Sequence, residues 1–171
     1  MSFTGLVLIS ILPALVITAA LKDLTSMTIP NWISGLLVLG FVPAAWAAGL
    51  GVGEMGLHLA VGVGGLLIGM GLFAARVIGG GDAKLMAAAA LWLGLKSAGL
   101  FLLWTGVAGG LFCLALIMAR RSLQPYAAGT GGWMGQLLEP KGDIPYGVAI
   151  CAGVLMAFPD SPLAIGLSAF G

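Results

Sequence analysis

Long apolar stretches separated by short polar connections make up almost the whole chain. A helix needs about 20 apolar residues to cross the hydrocarbon core of a bilayer, and most of these stretches reach that length. The fourth stretch is short unless it begins at the glycines before it, and the last is the weakest. The pattern predicts an all-α integral membrane protein with about six transmembrane helices, at residues 3–21, 32–50, 56–75, 85–95, 97–119 and 144–158.

The composition agrees with this fold class. Hydrophobic residues make up 60% of the 171 positions, and only seven basic and six acidic residues are present, whereas a soluble domain has about a quarter charged residues. Nothing divides the chain, so residues 1–171 are predicted to form a single polytopic domain. Its one sizeable polar connection is a loop at about 120–143, with a short interfacial helix expected near 133–138. The net charge of +1 argues against nucleic acid as a partner.

The basic residues predict the orientation of the helices. Connections that hold many Lys and Arg residues stay on the cytoplasmic side of a membrane. The connections after the first, third and fifth stretches hold six of the seven basic residues, and the opposite set holds Lys96 alone. We therefore expect the N-terminus outside and the ends carrying Asp23 and Asp82 at the cytoplasmic face. The six residues are Lys22, Arg76, Lys84, Arg120, Arg121 and Lys141.

Glycines also recur at four-residue spacing, which allows two helices to pack closely in lipid. With 29 glycines in the chain such pairs arise easily by chance, so we interpret them as helix packing and not as a dimerisation signal. The pairs are Gly49 and Gly53, Gly65 and Gly69, and Gly106 and Gly110.

The residue types present in the chain exclude most kinds of hydrolytic active site. His58 is the single histidine, so neither an HExxH zinc site nor a Ser-His-Asp triad can be built. Cys113 and Cys151 form no CxxC pair and are predicted to be buried thiols, so no metal or other cofactor is expected. A dyad of Ser26 with Lys22 stays open.

Carboxylates remain as candidate catalytic groups. Asp23 and Asp82 each adjoin an apolar stretch, whereas Glu139 and Asp143 lie in the polar loop and are expected to be solvated. Two carboxyls brought together would share one proton, so that one could activate a water and the other could protonate the carbonyl oxygen. The alternatives are structural. Asp82 could cap a helix, and Asp23 could pair with Lys22 or stay among lipid headgroups.

Three sequence elements resemble the type IV prepilin peptidase family. The segment 79–84 is similar to the GxGD element of intramembrane-type aspartic proteases, 23–31 to the D-x(6)-P-N element after the first helix, and 144–149 to the start of the last helix. The chain most resembles the small CpaA/TadV-like form that serves tight-adherence (Flp) pili. The larger form has paired cysteines in an added region that this sequence lacks, so N-methyltransferase activity is not expected.

The resemblance implies a GxGD-type aspartic protease architecture in the bacterial inner membrane. Such an enzyme is metal-independent and removes the short leader of prepilins at the cytoplasmic face. The implied partners are prepilins, recognised through the leader and the start of the hydrophobic helix, and the lipid bilayer, with pilus assembly machinery as a further candidate.

The resemblance also assigns residues. Asp23 and Asp82 match the two catalytic aspartates of the family. Two of the assigned residues also have a structural interpretation. For Lys84 the alternative to a role in the site is to fix the orientation in the membrane, and for Asn31 it is to cap a helix. The residues that would bind substrate or shape the site are Gly79, Gly80, Gly81, Lys84, Pro30, Asn31, Pro145, Tyr146 and Gly147.

Other functions use the same acids. A proton-coupled transporter or channel could employ Asp23 and Asp82 as relay groups, although such groups usually lie near the bilayer midplane between repeated halves. A non-enzymatic scaffold for pilus assembly would tolerate the loss of either acid. A related peptidase acting on preflagellins would differ only in its substrate.

Overall fold

The computed structural model describes residues 3–127, 132–140 and 142–169, and within them every regular element is a helix. The four long helices come first, one short helix lies inside the polar loop, and the remaining short elements follow it. The elements are α1 (Phe3–Ser26), α2 (Asn31–Ala47), α3 (Val52–Ala74), α4 (Gly80–Ala127), α5 (Trp133–Leu137), α6 (Gly147–Ala157), a 3-10 turn (Phe158–Asp160) and α7 (Pro162–Ala169).

The predicted all-α membrane class is confirmed. Within the described residues, α1, α3 and the segment Gly80–Leu123 are long and apolar enough to cross a bilayer, and α6 with α7 would make a fourth span, bent by 55°. The 17-residue α2 is apolar but shorter than a full span. The count of six crossings and the outward N-terminus stay predictions.

Helix α4 reverses its direction at Gly94. This residue has φ 66° and ψ 179°, a conformation that is restricted almost entirely to glycine. Asp82 and Cys113 consequently line one cavity of about 400 Å³, whereas a straight helix would separate them by about 46 Å. The two predicted stretches at 85–95 and 97–119 therefore correspond to the two halves of α4, which lie side by side.

The first half of α4 forms the centre of the bundle. Its residues Leu85 and Trp92 are fully buried, and the Trp92 indole Nε1 donates a 2.7 Å hydrogen bond to the Leu37 carbonyl of α2. On the other side it packs closely on α3, because a Cβ atom at Gly69 would lie only 3.0 Å from the Cβ of Ala83. The packing role predicted for the Gly65 and Gly69 pair is thus confirmed.

A buried histidine fills the space at the reversal. His58 is 4% exposed, its Nδ1 lies 2.7 Å from the Leu91 carbonyl oxygen, and its ring stacks on Phe41. A Cβ atom on Gly94 would lie 2.6 Å from the His58 ring. The reversal therefore requires glycine both for its dihedral angles and for the space that His58 occupies.

Arg120 fixes the polar segment that leads into α6. Its guanidinium is buried and donates to three backbone carbonyls, those of Leu137, Gly142 and Asp143, at 2.9, 2.9 and 2.8 Å. The short helix expected near 133–138 is present as α5, and Arg120 ties its end to α4. Part of the predicted loop at 120–143, including Lys141, lies outside the described residues.

We expect the Gly94→Ala substitution to destabilise the bundle. The added methyl group would meet the His58 ring and force a non-glycine residue into a positive φ, at a cost of at least about 2 kcal/mol. Thermal unfolding in detergent measures the effect. Gly99→Ala is the matched control, because a Cβ atom there meets nothing within 4 Å; equal unfolding temperatures for the two variants would contradict the account of the reversal.

We also expect Arg120→Ala to release the segment between α5 and α6, because three backbone carbonyls would lose their donor. Limited proteolysis of the purified protein should then cut within 137–143 at least about tenfold faster, as expected when local opening loses about 1.4 kcal/mol or more of protection. Arg121→Ala removes the same charge from an exposed neighbour and should leave the cutting rate unchanged.

Candidate active site

Asp23 lies in the last turn of α1 and is bound to the start of α6. Its Oδ2 accepts a 2.7 Å hydrogen bond from the Gly147 backbone N–H, and its side chain is 6% exposed. A Cβ atom at Gly147 would come within 2.9 Å of the Asp23 side chain, so only glycine permits this approach. Asp23 is therefore held inside the protein by α6, not by the neighbouring Lys22.

Asp82 lies in the first turn of α4. Its Oδ2 accepts a hydrogen bond of 3.2 Å from the Gly79 backbone N–H, three residues earlier. This contact is the backbone capping that the sequence left open as the alternative to chemistry. Capping uses one oxygen only, however: Oδ1 of Asp82 is buried and has no hydrogen-bond partner among residues 3–127, 132–140 and 142–169.

The two carboxyls share a polar pocket. A cavity of about 360 Å³ is lined by both Asp23 and Asp82, and a second of about 280 Å³ adjoins both on the side of the 79–81 glycines. Residues 59 positions apart, on different helices, thus meet at one end of the bundle, as the predicted pairing requires.

Two residues at the rim of this pocket have left-handed backbone conformations without being glycine. Met27, just after α1, has φ 51°, and Arg76, just after α3, has φ 59°. Both line the larger polar pocket. Such conformations cost about 1 kcal/mol or more for a residue with a Cβ atom and are concentrated at functional sites. Here they turn the ends of α1 and α3 around the carboxyls.

Two segments of the predicted site residues, 79–81 and 145–147, lie around the pockets. Gly79, Gly80 and Gly81 line the smaller pocket, and a Cβ atom on Gly81 would lie 3.0 Å from Ile29. Pro145 and Tyr146 line the larger one, directly before the Gly147 N–H that binds Asp23. These residues all surround the two carboxyls.

Lys84, Asn31 and Pro30 do not line either polar pocket. The Lys84 Nζ donates a 2.9 Å hydrogen bond to the Asn31 Oδ1, on a face of α4 other than that of Asp82. Both residues lie at the edge of a separate apolar groove of about 600 Å³ between α2, α3 and α4. Pro30 is the N-cap residue of α2, and the Asn31 Oδ1 is bound by Lys84, so the described contacts give no support to the capping alternative for Asn31.

Three residues of the site were not predicted as such. Arg76 and Asp143 line the larger pocket with the aspartates, and Arg120 holds the backbone beside them. The sequence predicts only an orienting role for Arg76 and Arg120 and a solvated charge for Asp143. Their one sequence signal is position, since each lies next to a predicted helix end on the same side as Asp23.

Other hydrolytic arrangements gain no support. The Ser26 hydroxyl donates to the Lys22 backbone carbonyl at 2.7 Å, so it is not directed at the lysine amine as a dyad would require. Within residues 3–127, 132–140 and 142–169, no three His, Cys, Asp or Glu side chains gather as a metal site would need. The paired carboxyls are the arrangement that can polarise a water and a carbonyl together.

Comparison with known proteins identifies the family of the chain. The profile of the type IV leader peptidase family matches residues 10–114, more than half of the chain, and this region includes Asp23 and Asp82. No curated protein and no solved structure gives a significant match. The chain therefore belongs to the type IV leader peptidase family.

Proposed function

We propose that this protein is a membrane-embedded aspartic endopeptidase that removes the leader peptide from type IV or Flp prepilins. The observation that carries the proposal is the shared pocket of Asp23 and Asp82. Family membership supplies the reaction class, a peptidase acting on prepilin-type substrates. Methylation of the new N-terminus is not part of the proposal, because the sequence holds no CxxC pair.

The pair would act as one acid–base unit. Two close carboxyls share a proton, so one is ionised and the other protonated. The ionised carboxylate takes a proton from a water as that water attacks the scissile carbonyl, while the protonated carboxyl donates to the carbonyl oxygen. Oδ1 of Asp82 has no hydrogen-bond partner among the described residues, so no protein donor competes for it in this exchange. Collapse of the tetrahedral intermediate then breaks the peptide bond, and the leaving amine takes a proton from the pair.

The backbone donors around the pair hold the carboxyl groups in position. The Gly147 and Gly79 N–H groups each bind one oxygen, Oδ2 of Asp23 and of Asp82 respectively. Each carboxyl keeps its second oxygen for the water or the substrate. A fixed arrangement of this kind lowers the cost of reorganisation during the reaction.

The basic residues support a site at the cytoplasmic face of the bacterial inner membrane. Arg76 lines the pocket and Arg120 binds the backbone of Asp143 beside it. Basic residues gather on the cytoplasmic side of membrane proteins. At that face the pocket could receive a leader before the substrate is exported.

Replacing either aspartate should abolish cleavage. Asp23→Asn and Asp82→Asn keep the side-chain size but remove the ability to exchange the shared proton, so we expect kcat to fall by about 10²–10⁴-fold. The measurement is cleavage of a prepilin in liposomes, with Asp160→Asn as a control, since this exposed acid lies outside the pocket. A well-folded single mutant that cleaves at the wild-type rate would rule out the pair and favour the scaffold or transporter alternatives.

The pH dependence should be bell-shaped. Activity needs one ionised and one protonated carboxyl, so it falls when both are protonated at low pH and when both are ionised at high pH. The profile of kcat/KM for the wild-type protein in liposomes tests this. A rate that rises to a plateau with only one titrating group would contradict a mechanism in which the two acids work together.

A further inference from the structure

A second cavity begins at Asp82 and extends into the apolar part of the bundle. It is a partly open groove of about 400 Å³ between the end of α3 and the second half of α4. Apolar groups form nearly all of its surface, including Leu72 and Met86. Asp82 and Tyr146 line both this groove and the polar pocket. The groove is therefore continuous with the proposed catalytic site.

Three glycines line the groove on the second half of α4: Gly109, where a Cβ atom would lie 3.4 Å from Ala149 of α6, and Gly106 and Gly110. Gly106 and Gly110 are exposed, and a Cβ atom on either would meet nothing within 4 Å. The similar pair Gly65 and Gly69 is covered by the first half of α4. Within the described residues, Gly106 and Gly110 therefore do not have the helix-packing role predicted for them. Their spacing is one that lets a second helix approach closely in lipid.

An unpartnered polar atom marks one end of the groove. Asp82 is only 8% exposed, and its buried Oδ1 has no hydrogen-bond partner among the described residues. A buried carboxyl oxygen without a donor is costly. A backbone or a water brought in with an occupant of the groove would satisfy it. Asp82 lines the groove, so this unpartnered oxygen is an observation separate from the glycines.

We propose that the groove receives the apolar helix of the substrate, in the segment that adjoins the scissile bond, with Gly106 and Gly110 as the contact surface. This inference rests on the proposed peptidase function. A chain lying in the groove and continuing into the polar pocket passes both carboxyls. A second copy of this protein in the groove would instead cover Asp82, so the substrate is the occupant that leaves the site usable.

Filling the groove tests the proposal. Gly106→Leu and Gly110→Leu place side chains in open space, so the fold tolerates them, but they remove the close approach of a bound helix. We expect kcat/KM to fall by about tenfold or more, mainly through KM, for a substrate with a polar leader and an apolar helix of about 20 residues. Gly99→Leu is the matched control, because it is an exposed glycine of the same half of α4 that lines no described cavity near Asp82. Equal kcat/KM values for all three variants would overturn the proposal.

The native Cys113 offers a direct measurement. Its side chain lines the groove, whereas Cys151 is buried elsewhere. In an Asp82→Asn protein that does not cleave its substrate, single cysteines placed along the apolar helix of the substrate should, once a mild oxidant is added, form disulfides with Cys113 at one position or at two positions one turn apart, because the two Cβ atoms must come within about 4.5 Å. Absence of such disulfides would reject the substrate as occupant. A Cys113–Cys113 disulfide between two copies of the protein, together with loss of dimers in Gly106→Leu, would reject it as well. Because the disulfides need no catalysis, a wild-type protein that binds but never cleaves would refute the peptidase function alone.

Discussion

The hydrogen bond between the Gly147 N–H and Asp23 Oδ2 is the contact on which the site depends. It joins residues 124 positions apart, the end of the first helix and the start of α6. A hydrogen bond to an ionised carboxylate contributes about 1.5–3 kcal/mol, and leaving the carboxylate buried without it would cost more. The bond requires a glycine at position 147, because any side chain there would displace Asp23. The carboxyl and the last part of the bundle thus fix each other's positions.

Two further constraints bring the rest of the site to the same end of the bundle. The reversal at Gly94 folds α4 back, so that the second half of this helix lies beside the first and carries Arg120 to the level of Asp23. Arg120 then binds the backbone from Leu137 to Asp143, which leads into Pro145 and Gly147. The apolar groove with its uncovered glycines depends on the same reversal, since residues from both halves of α4 line it. Scaffold and site therefore depend on a small number of backbone contacts.

The sequence predicts much of this arrangement because membrane helices leave a strong hydropathy signal. The helices, the two acids at one end and the short α5 follow from pattern and motif alone. The positions of Lys84 and Asn31 do not, because helix rotation is fixed by packing and hydropathy is almost uniform around these helices. The contact between Arg120 and three carbonyls was not predictable either, since a basic residue in a loop gives no signal of the backbone it will bind. For the same reason the glycine pairs could not be told apart: Gly65 and Gly69 are covered, while Gly106 and Gly110 are open.

The central claim is that Asp23 and Asp82 form one acid–base pair that holds a single proton. Infrared spectroscopy of the protein in lipid measures this directly, because a protonated carboxyl has a C=O band that an ionised carboxylate lacks, and the chain has only six acidic residues. The account predicts one protonated carboxyl band in the pH range of activity, lost or shifted in both Asp23→Asn and Asp82→Asn. A band that is unaffected by either substitution, or two fully ionised carboxylates at the pH of maximal activity, would contradict it.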